Sequence, residues 1–138
     1  MSRPLRINIP GGWYHITSRG NERRAIFRTA DDRVEFLNRL AETVDRFSCF
    51  LYAYVLMENH FHLEMETREG DLSRAMQWLS GGYSAWFNQR HHRSGHLFHA
   101  RFHSVILQPE EAALDVSRYL HLNPIRVRGY GLSKKDQQ

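Results

Sequence analysis

The order of elements that the sequence predicts, β-α-β-β-α-β-α, describes an α+β fold with one antiparallel sheet and helices packed on a single face. Three observations carry this. Residues 60–66 (HFHLEME) separate by parity: Phe61, Leu63 and Met65 share one face, and His60, His62, Glu64 and Glu66 share the other. That is the signature of a strand with one buried side. Two longer stretches instead repeat apolar residues at helical spacing. Finally, two strands adjacent in sequence are followed by a helix and a return strand, which is the split βαβ, ferredoxin-like arrangement. Its second sheet face is left for a site.

The elements follow in order. Residues 13–19 (WYHITSR) alternate and carry β-branched and aromatic side chains, so they form a strand ended by Gly20-Asn21. Asp31 or Asp32 caps a helix with Val34, Leu37, Leu40, Val44 and Phe47 along one side. Residues 50–57 are apolar on both parities, which predicts a strand in the centre of the sheet. Glu58-Asn59 is a turn into the strand from His60 to Thr67. Asp71 opens a long helix with Leu72, Met76, Leu79, Tyr83, Trp86 and Arg90 in a stripe. Gly81-Gly82 interrupts that helix at about 1 kcal/mol per glycine, which predicts a kink or a close backbone approach. Residues 88–96 (NQRHHRSGH) read as a basic loop and residues 97–107 as a strand. Pro109-Glu110-Glu111 starts a last helix running to about Leu122, where Pro124 ends it. The segment 129–138 is polar and expected to fray.

Composition bounds the function. The 138 residues make one domain, 1–138, with an expected core at about 13–126. The longest apolar run, Cys49 to Met57, is about half of the roughly 18 residues a membrane span needs. The first residues lack the apolar core of a signal peptide, and the single cysteine, Cys49, cannot make an intrachain disulfide. A cytoplasmic location is therefore expected. Net charge is +4, carried by seventeen arginines against two lysines, Lys134 and Lys135. Arginine's planar fork binds phosphate oxygens bidentately, which suits a nucleic-acid backbone; a coding bias explains the ratio equally well. No glycine-rich loop ends in Lys-Ser/Thr, so P-loop chemistry is excluded.

Two histidines two apart on a strand lie roughly 6.6 Å apart at the backbone and point the same way, so His60 and His62 can converge on one ion. Imidazole suits Mn²⁺, Fe²⁺ or Zn²⁺. An isolated H-x-H is more often a pair of surface histidines. The last helix carries Glu111, Asp115, Tyr119 and Asn123 at i, i+4 spacing. Such a stripe is commonly a solvated face, but its tyrosine is a group able to attack a phosphodiester. A phenol with a pKa near 10 needs a base or a metal to do so.

The pattern resembles a family. His60-Phe61-His62 within MENHFHLEM resembles the histidine-hydrophobe-histidine motif of the single-tyrosine HUH transposases. Tyr119 within RYLHLNPIR resembles their nucleophile helix. YHITSRGNERRAIF, Phe87-Asn88 and GHLFHARFHS are similar to the REP-associated tyrosine transposase (IS200-like) branch. The resemblance spans Trp13 to about Arg126. It implies nicking and strand transfer on single-stranded DNA through a 5′-phosphotyrosine, with Tyr119 as nucleophile. It also implies a divalent ion, Mg²⁺ or Mn²⁺, held by His60 and His62. Relatives often add a polar ligand one turn after the tyrosine, here Asn123. Some are homodimers that place the tyrosine of one subunit in the other's site; others are monomers.

The expected DNA contacts are Arg19, Arg23 and Arg24 after the first strand, then Arg90, Arg93 and His96 in the loop. Arg101 and His103 join them, with His99, on one parity of the strand from Leu97. In the related transposases the DNA is a hairpin with flanking single strand. Two departures stand out. Glu64 occupies a place that is usually apolar in relatives, where it serves as a partner of the metal ligands or a competing ligand. The REP-associated branch also usually continues well past the Asn-Pro turn. The alternative is accordingly a non-catalytic, domesticated or truncated hairpin-binding protein on the same fold. A cupin-type metal enzyme is disfavoured because cupins are all-β barrels.

Overall fold

The computed structural model describes residues 11–68 and 70–108. The predicted last helix, Tyr119, Asn123 and the segment 129–138 lie outside those residues. Four strands and two helices follow one another as β1 (Gly12–Arg19), α1 (Ala30–Arg46), β2 (Cys49–Met57), β3 (His60–Thr67), α2 (Leu72–Arg90) and β4 (His103–Leu107). A single 3₁₀ turn, Asn21–Arg23, follows β1. The sheet is antiparallel throughout, in the order β2-β3-β1-β4. This is the split βαβ arrangement that the element order predicts, with β3 inserted between β1 and β2.

Alternation along β1 and β3 decides which face the helices cover. Tyr14, Ile16 and Ser18 of β1, and Phe61, Leu63 and Met65 of β3, are at most 5% exposed. The apolar ones meet Phe36 and Leu40 of α1 and Leu72, Met76, Leu79, Tyr83 and Phe87 of α2 in one core. Phe36 sits in its middle, with ring centroids 4.8 Å from Phe61, 5.2 Å from Tyr83 and 5.4 Å from Phe27. Burying a side chain of this size contributes about 2 kcal/mol. The opposite face carries Trp13, His15, Thr17 and Arg19 on β1 and His60, His62, Glu64 and Glu66 on β3.

Several elements differ from the sequence expectation. The cap of α1 is Thr29: its side chain accepts from the Asp32 backbone N–H, while the Asp32 carboxylate accepts from the Thr29 N–H. Asp32 is thus the third helical residue of a capping box, and Asp31 is exposed. The buried stripe of α1 runs Asp32, Phe36, Leu40, Thr43, leaving Val34 55% exposed. A fully buried carboxylate in that stripe shifts its phase away from the apolar residues. Strand β2 is an edge of the described sheet, not its centre. It is apolar on both parities because Leu51, Tyr54 and Leu56 pack towards the core, while Phe50 and Met57 stay exposed.

Helix α2 runs unbroken through Gly81-Gly82, without the predicted kink. At Gly82 it is a side chain, not a backbone, that comes close: a β-carbon there would lie 2.7 Å from the Arg39 guanidinium on α1. Asp71 is the N-cap as expected, but its side chain makes no cap hydrogen bond. The stripe ends on buried Phe87, not on Trp86 and Arg90. The return strand is shorter than residues 97–107. Leu97, Phe98 and Phe102 all pack into or against the core, and inward positions at i, i+1 and i+5 cannot share one strand face. That stretch meets the sheet through a Gly20–Phe98 bridge, a hydrogen bond from the His99 N–H to the Arg19 carbonyl, and the Phe98 ring against Phe61.

Candidate metal centre and nucleic-acid face

The register of β1 on β3 builds the site. Arg19 stands opposite His60, Thr17 opposite His62, His15 opposite Glu64 and Trp13 opposite Glu66, all on the face away from α1 and α2. Directly opposed residues in an antiparallel pair bring their β-carbons to roughly 5 Å. The strand parity read from residues 60–66 therefore places both histidines as expected, and their ring centroids are 5.0 Å apart.

Each imidazole is oriented through Nδ1. The Asn59 side-chain amide donates from Nδ2 to the Arg23 carbonyl oxygen at 3.2 Å. This leaves Oδ1 facing His60 Nδ1 at 2.8 Å, so His60 must donate there and carry its lone pair on Nε2. His62 Nδ1 lies 3.1 Å from His15 Nε2 and 3.3 Å from Thr17 Oγ1. Burial, then the Arg19 guanidinium opposite, lowers the His60 pKa. A neutral imidazole is the form that binds a metal. Two adjacent imidazoles held this way fit a divalent ion as two of its ligands. No group of three His, Cys, Asp or Glu side chains able to hold an ion occurs among the described residues.

Glu64 is 1% exposed, and its Oε2 lies 3.4 Å from His15 Nδ1. His15, Thr17 and Asn59 escaped the sequence reading as site residues, although His15 and Thr17 share the parity of Trp13 and Arg19. At the other end of the same face, Trp13 stacks on Tyr52 with ring centroids 4.3 Å apart. Burial, then the hydrogen bond to Glu66 at 2.7 Å, pushes the Tyr52 phenol up to about 12.

The turn that presents the histidines is clamped from outside the sheet. The Glu58 carbonyl accepts from the Ile26 N–H, and the Asn59 carbonyl from the Gly20 N–H, both at 2.8 Å. Gly20 is required there, because a β-carbon would lie 2.1 Å from the Arg24 carbonyl oxygen. Glu22 and Arg23 follow with φ of 57° and 60°, uncommon for residues other than glycine.

The expected DNA contacts separate into distinct surroundings. Arg19, Arg23 and Arg24 are exposed around the clamping turn, with Arg24 paired to Glu22. His103 lies across from Thr17 on β4, and so in the row that contains His62. His96 and Arg101 are exposed and line a cleft beside Ser80 and Ser84 of α2. Arg90 is the last residue of α2, not a loop residue, and is committed to ion pairs with Asp31 and Asp32. Arg93 lies over the Phe87 ring and donates to Asn88 Oδ1. Asn88 also donates to the Gly95 carbonyl, so Phe87-Asn88 serves the core and the loop. His99 and Arg101 do not share a strand face with His103, since β4 begins at His103.

The family model described as "Transposase IS200 like" matches residues 9–123. The chain belongs to the IS200-like transposase family. Among solved structures, a REP-associated tyrosine transposase bound to a REP hairpin superposes with a TM-score of 0.69 at 17% identity, covering 91% of this chain and 73% of that one. A Deinococcus radiodurans R1 protein assigned as a transposase superposes with a TM-score of 0.59 at 14% identity, covering 87% of this chain and 96% of that one. At these identities the superpositions speak for the fold. No curated protein matches the sequence. Among the described residues of this family member, no helix is long and apolar enough to cross a membrane.

Proposed function

We propose that residues 1–138 form one catalytic domain that nicks and rejoins single-stranded DNA next to a hairpin, working in the cytoplasm on transposition intermediates. The observation that carries this reading is the His60–His62 pair, side by side on the face opposite α1 and α2, with the His60 Nδ1 engaged by Asn59 and the His62 Nδ1 beside His15 and Thr17. Family membership and the hairpin bound by the superposed relative support it.

In this reading the Tyr119 phenolate oxygen attacks the scissile phosphorus. The bond to the 3′ oxygen breaks, that oxygen takes up a proton, and a 5′-phosphotyrosine remains. Attack by a free 3′-hydroxyl then reverses the exchange and releases the tyrosine, so bond energy is conserved and no nucleotide triphosphate is consumed. A divalent ion, Mg²⁺ or Mn²⁺, held by His60, His62 and Asn123 would supply positive charge to the phosphate when bound. His60 and His62 hold their rings in place, and Arg19, Arg23, Arg24, Arg101, His96 and His103 attract the strand. The described tyrosines fit this division of labour: Tyr14, Tyr54 and Tyr83 are buried and Tyr52 stays protonated on Glu66.

The test is incubation with hairpin oligonucleotides carrying flanking single strands, with Mn²⁺ or Mg²⁺. An SDS-resistant protein–DNA adduct that vanishes in Tyr119→Phe is expected. Tight binding with no adduct from the unaltered protein overturns the nicking mechanism in favour of a binding protein. Mixing Tyr119→Phe with His62→Ala subunits distinguishes the arrangements. Adduct regained in the mixture indicates a homodimer that exchanges tyrosines.

A further inference from the structure

A carboxylate 1% exposed, on the sheet face opposite α1 and α2, requires a reason. Glu64 stands opposite His15 in the β1–β3 ladder, with its Oε2 3.4 Å from His15 Nδ1. His15 Nε2 lies 3.1 Å from His62 Nδ1, and the two rings meet edge to face at 72°. Thr17 Oγ1, directly across from His62, lies 3.3 Å from the same nitrogen. We propose that Glu64 and His15 are positioning residues: the carboxylate in ion-pair contact with His15, and His15 in hydrogen-bond contact with His62, form a relay that sets the tautomer and orientation of His62.

The direction of the relay follows from donor and acceptor rules. The carboxylate oxygen faces His15 Nδ1, which favours the proton on that nitrogen, and in that tautomer His15 presents Nε2 as an acceptor. His62 then donates from Nδ1 to His15 Nε2 and Thr17 Oγ1, and its lone pair resides on Nε2. His60 reaches the same tautomer by a different route, through Asn59. The two imidazoles thus offer the same nitrogen. Partners of this kind fix the ring orientation of metal-binding histidines, and losing one costs about 10- to 100-fold in metal affinity. The inference rests on the reading of His60 and His62 as metal ligands, but the relay is measurable without any metal.

The experiment is a long-range ¹H–¹⁵N correlation of the ¹⁵N-histidine-labelled, metal-free full chain at neutral pH, followed by Mn²⁺ titration. Expected is the Nδ1–H tautomer at His15 and His62 in the unaltered protein. Glu64→Leu, which suits an almost fully buried position, should redistribute both tautomers and weaken Mn²⁺ binding about 10-fold. Glu64→Gln keeps an acceptor and should restore most of that loss. An Nε2–H tautomer at His62 in the unaltered protein overturns the relay. So does a Glu64→Leu protein whose His62 tautomer and Mn²⁺ affinity stay within twofold of the unaltered values. If Glu64→Leu fails to fold, the unaltered protein's spectrum and Glu64→Gln still decide. If the tautomers are as expected but no Mn²⁺ binds, the metal-ligand reading fails and the relay stands.

Discussion

His91, at the C-terminal end of α2, places its Nε2 2.9 Å from a carboxylate oxygen of Asp32, a side chain with no solvent exposure near the start of α1. The same carboxylate accepts from the Arg28 and Thr29 backbone N–H groups at 2.8 and 3.1 Å. One side chain therefore completes the cap of one helix and ties it to the end of the other. Asp32→Ala should cost about 3 kcal/mol, combining a lost cap with buried donors left unpaired. Urea denaturation measures it.

Acid should reveal the same residue. Burial alone would raise the Asp32 carboxyl, but the hydrogen bond from His91, the two backbone N–H groups and the charge on His91 together hold it below the usual aspartate value. A carboxyl lowered on folding contributes stability above its unfolded value, about 3.9, and loses it as pH falls through the folded value. The stability gap between the protein and Asp32→Asn should thus be fully developed above about pH 4 and shrink below it. A gap that stays constant to pH 2 would refute the assignment.

Gly20→Ala should be destabilising although its φ of −64° is ordinary for any residue. The added carbon meets the Arg24 backbone carbonyl, which cannot rotate away, so the turn of residues 20–24 must shift. Overpacking of this kind costs about 1–3 kcal/mol. Because Gly20 and Arg23 both contact Asn59, His60 amide resonances should move in the variant, while those of α2 near Ser73 should not.

Tyr83 donates to the Ile26 carbonyl at 2.6 Å inside the core. Tyr83→Phe keeps the ring but leaves that carbonyl without its donor, at about 1–2 kcal/mol. Thermal denaturation should show the loss with the fold unchanged.

Arg19 and Arg90 should respond differently to salt. Arg19 is exposed beside His60, whereas Arg90 is held by Asp31 and Asp32 and stacked near Trp86. Removing one phosphate contact lowers the salt slope of single-strand binding by about 0.7. Arg19→Ala should show that change, and Arg90→Ala should lose stability and leave the slope intact. Equal slopes in both variants would remove Arg19 from the DNA face.

The sequence located what depends on neighbours along the chain. Parity in residues 60–66 separated the core face of β3 from its histidine face, and Asp71 marked the start of α2. Three errors arose where distant parts meet. An apolar run such as Cys49–Met57 reads alike at a sheet's centre and at its edge, because exposure depends on which strand lies alongside. The stripe of α1 was misphased because Asp32 is buried by a histidine 59 residues away. The stretch after Leu97 left the sheet because Phe98 and Phe102 found space in the core.

The sequence by itself determined that His60 and His62 point the same way, since side chains alternate on any strand. Only the tertiary structure decided what faces them. The register of β1 on β3 sets Arg19, Thr17 and His15 against His60, His62 and Glu64, and a slip of one residue would turn every one of those side chains to the other face. That register is set by packing of Tyr14 and Ile16 with Phe61 and Leu63 beneath the sheet, contacts between residues more than forty positions apart that no local pattern encodes.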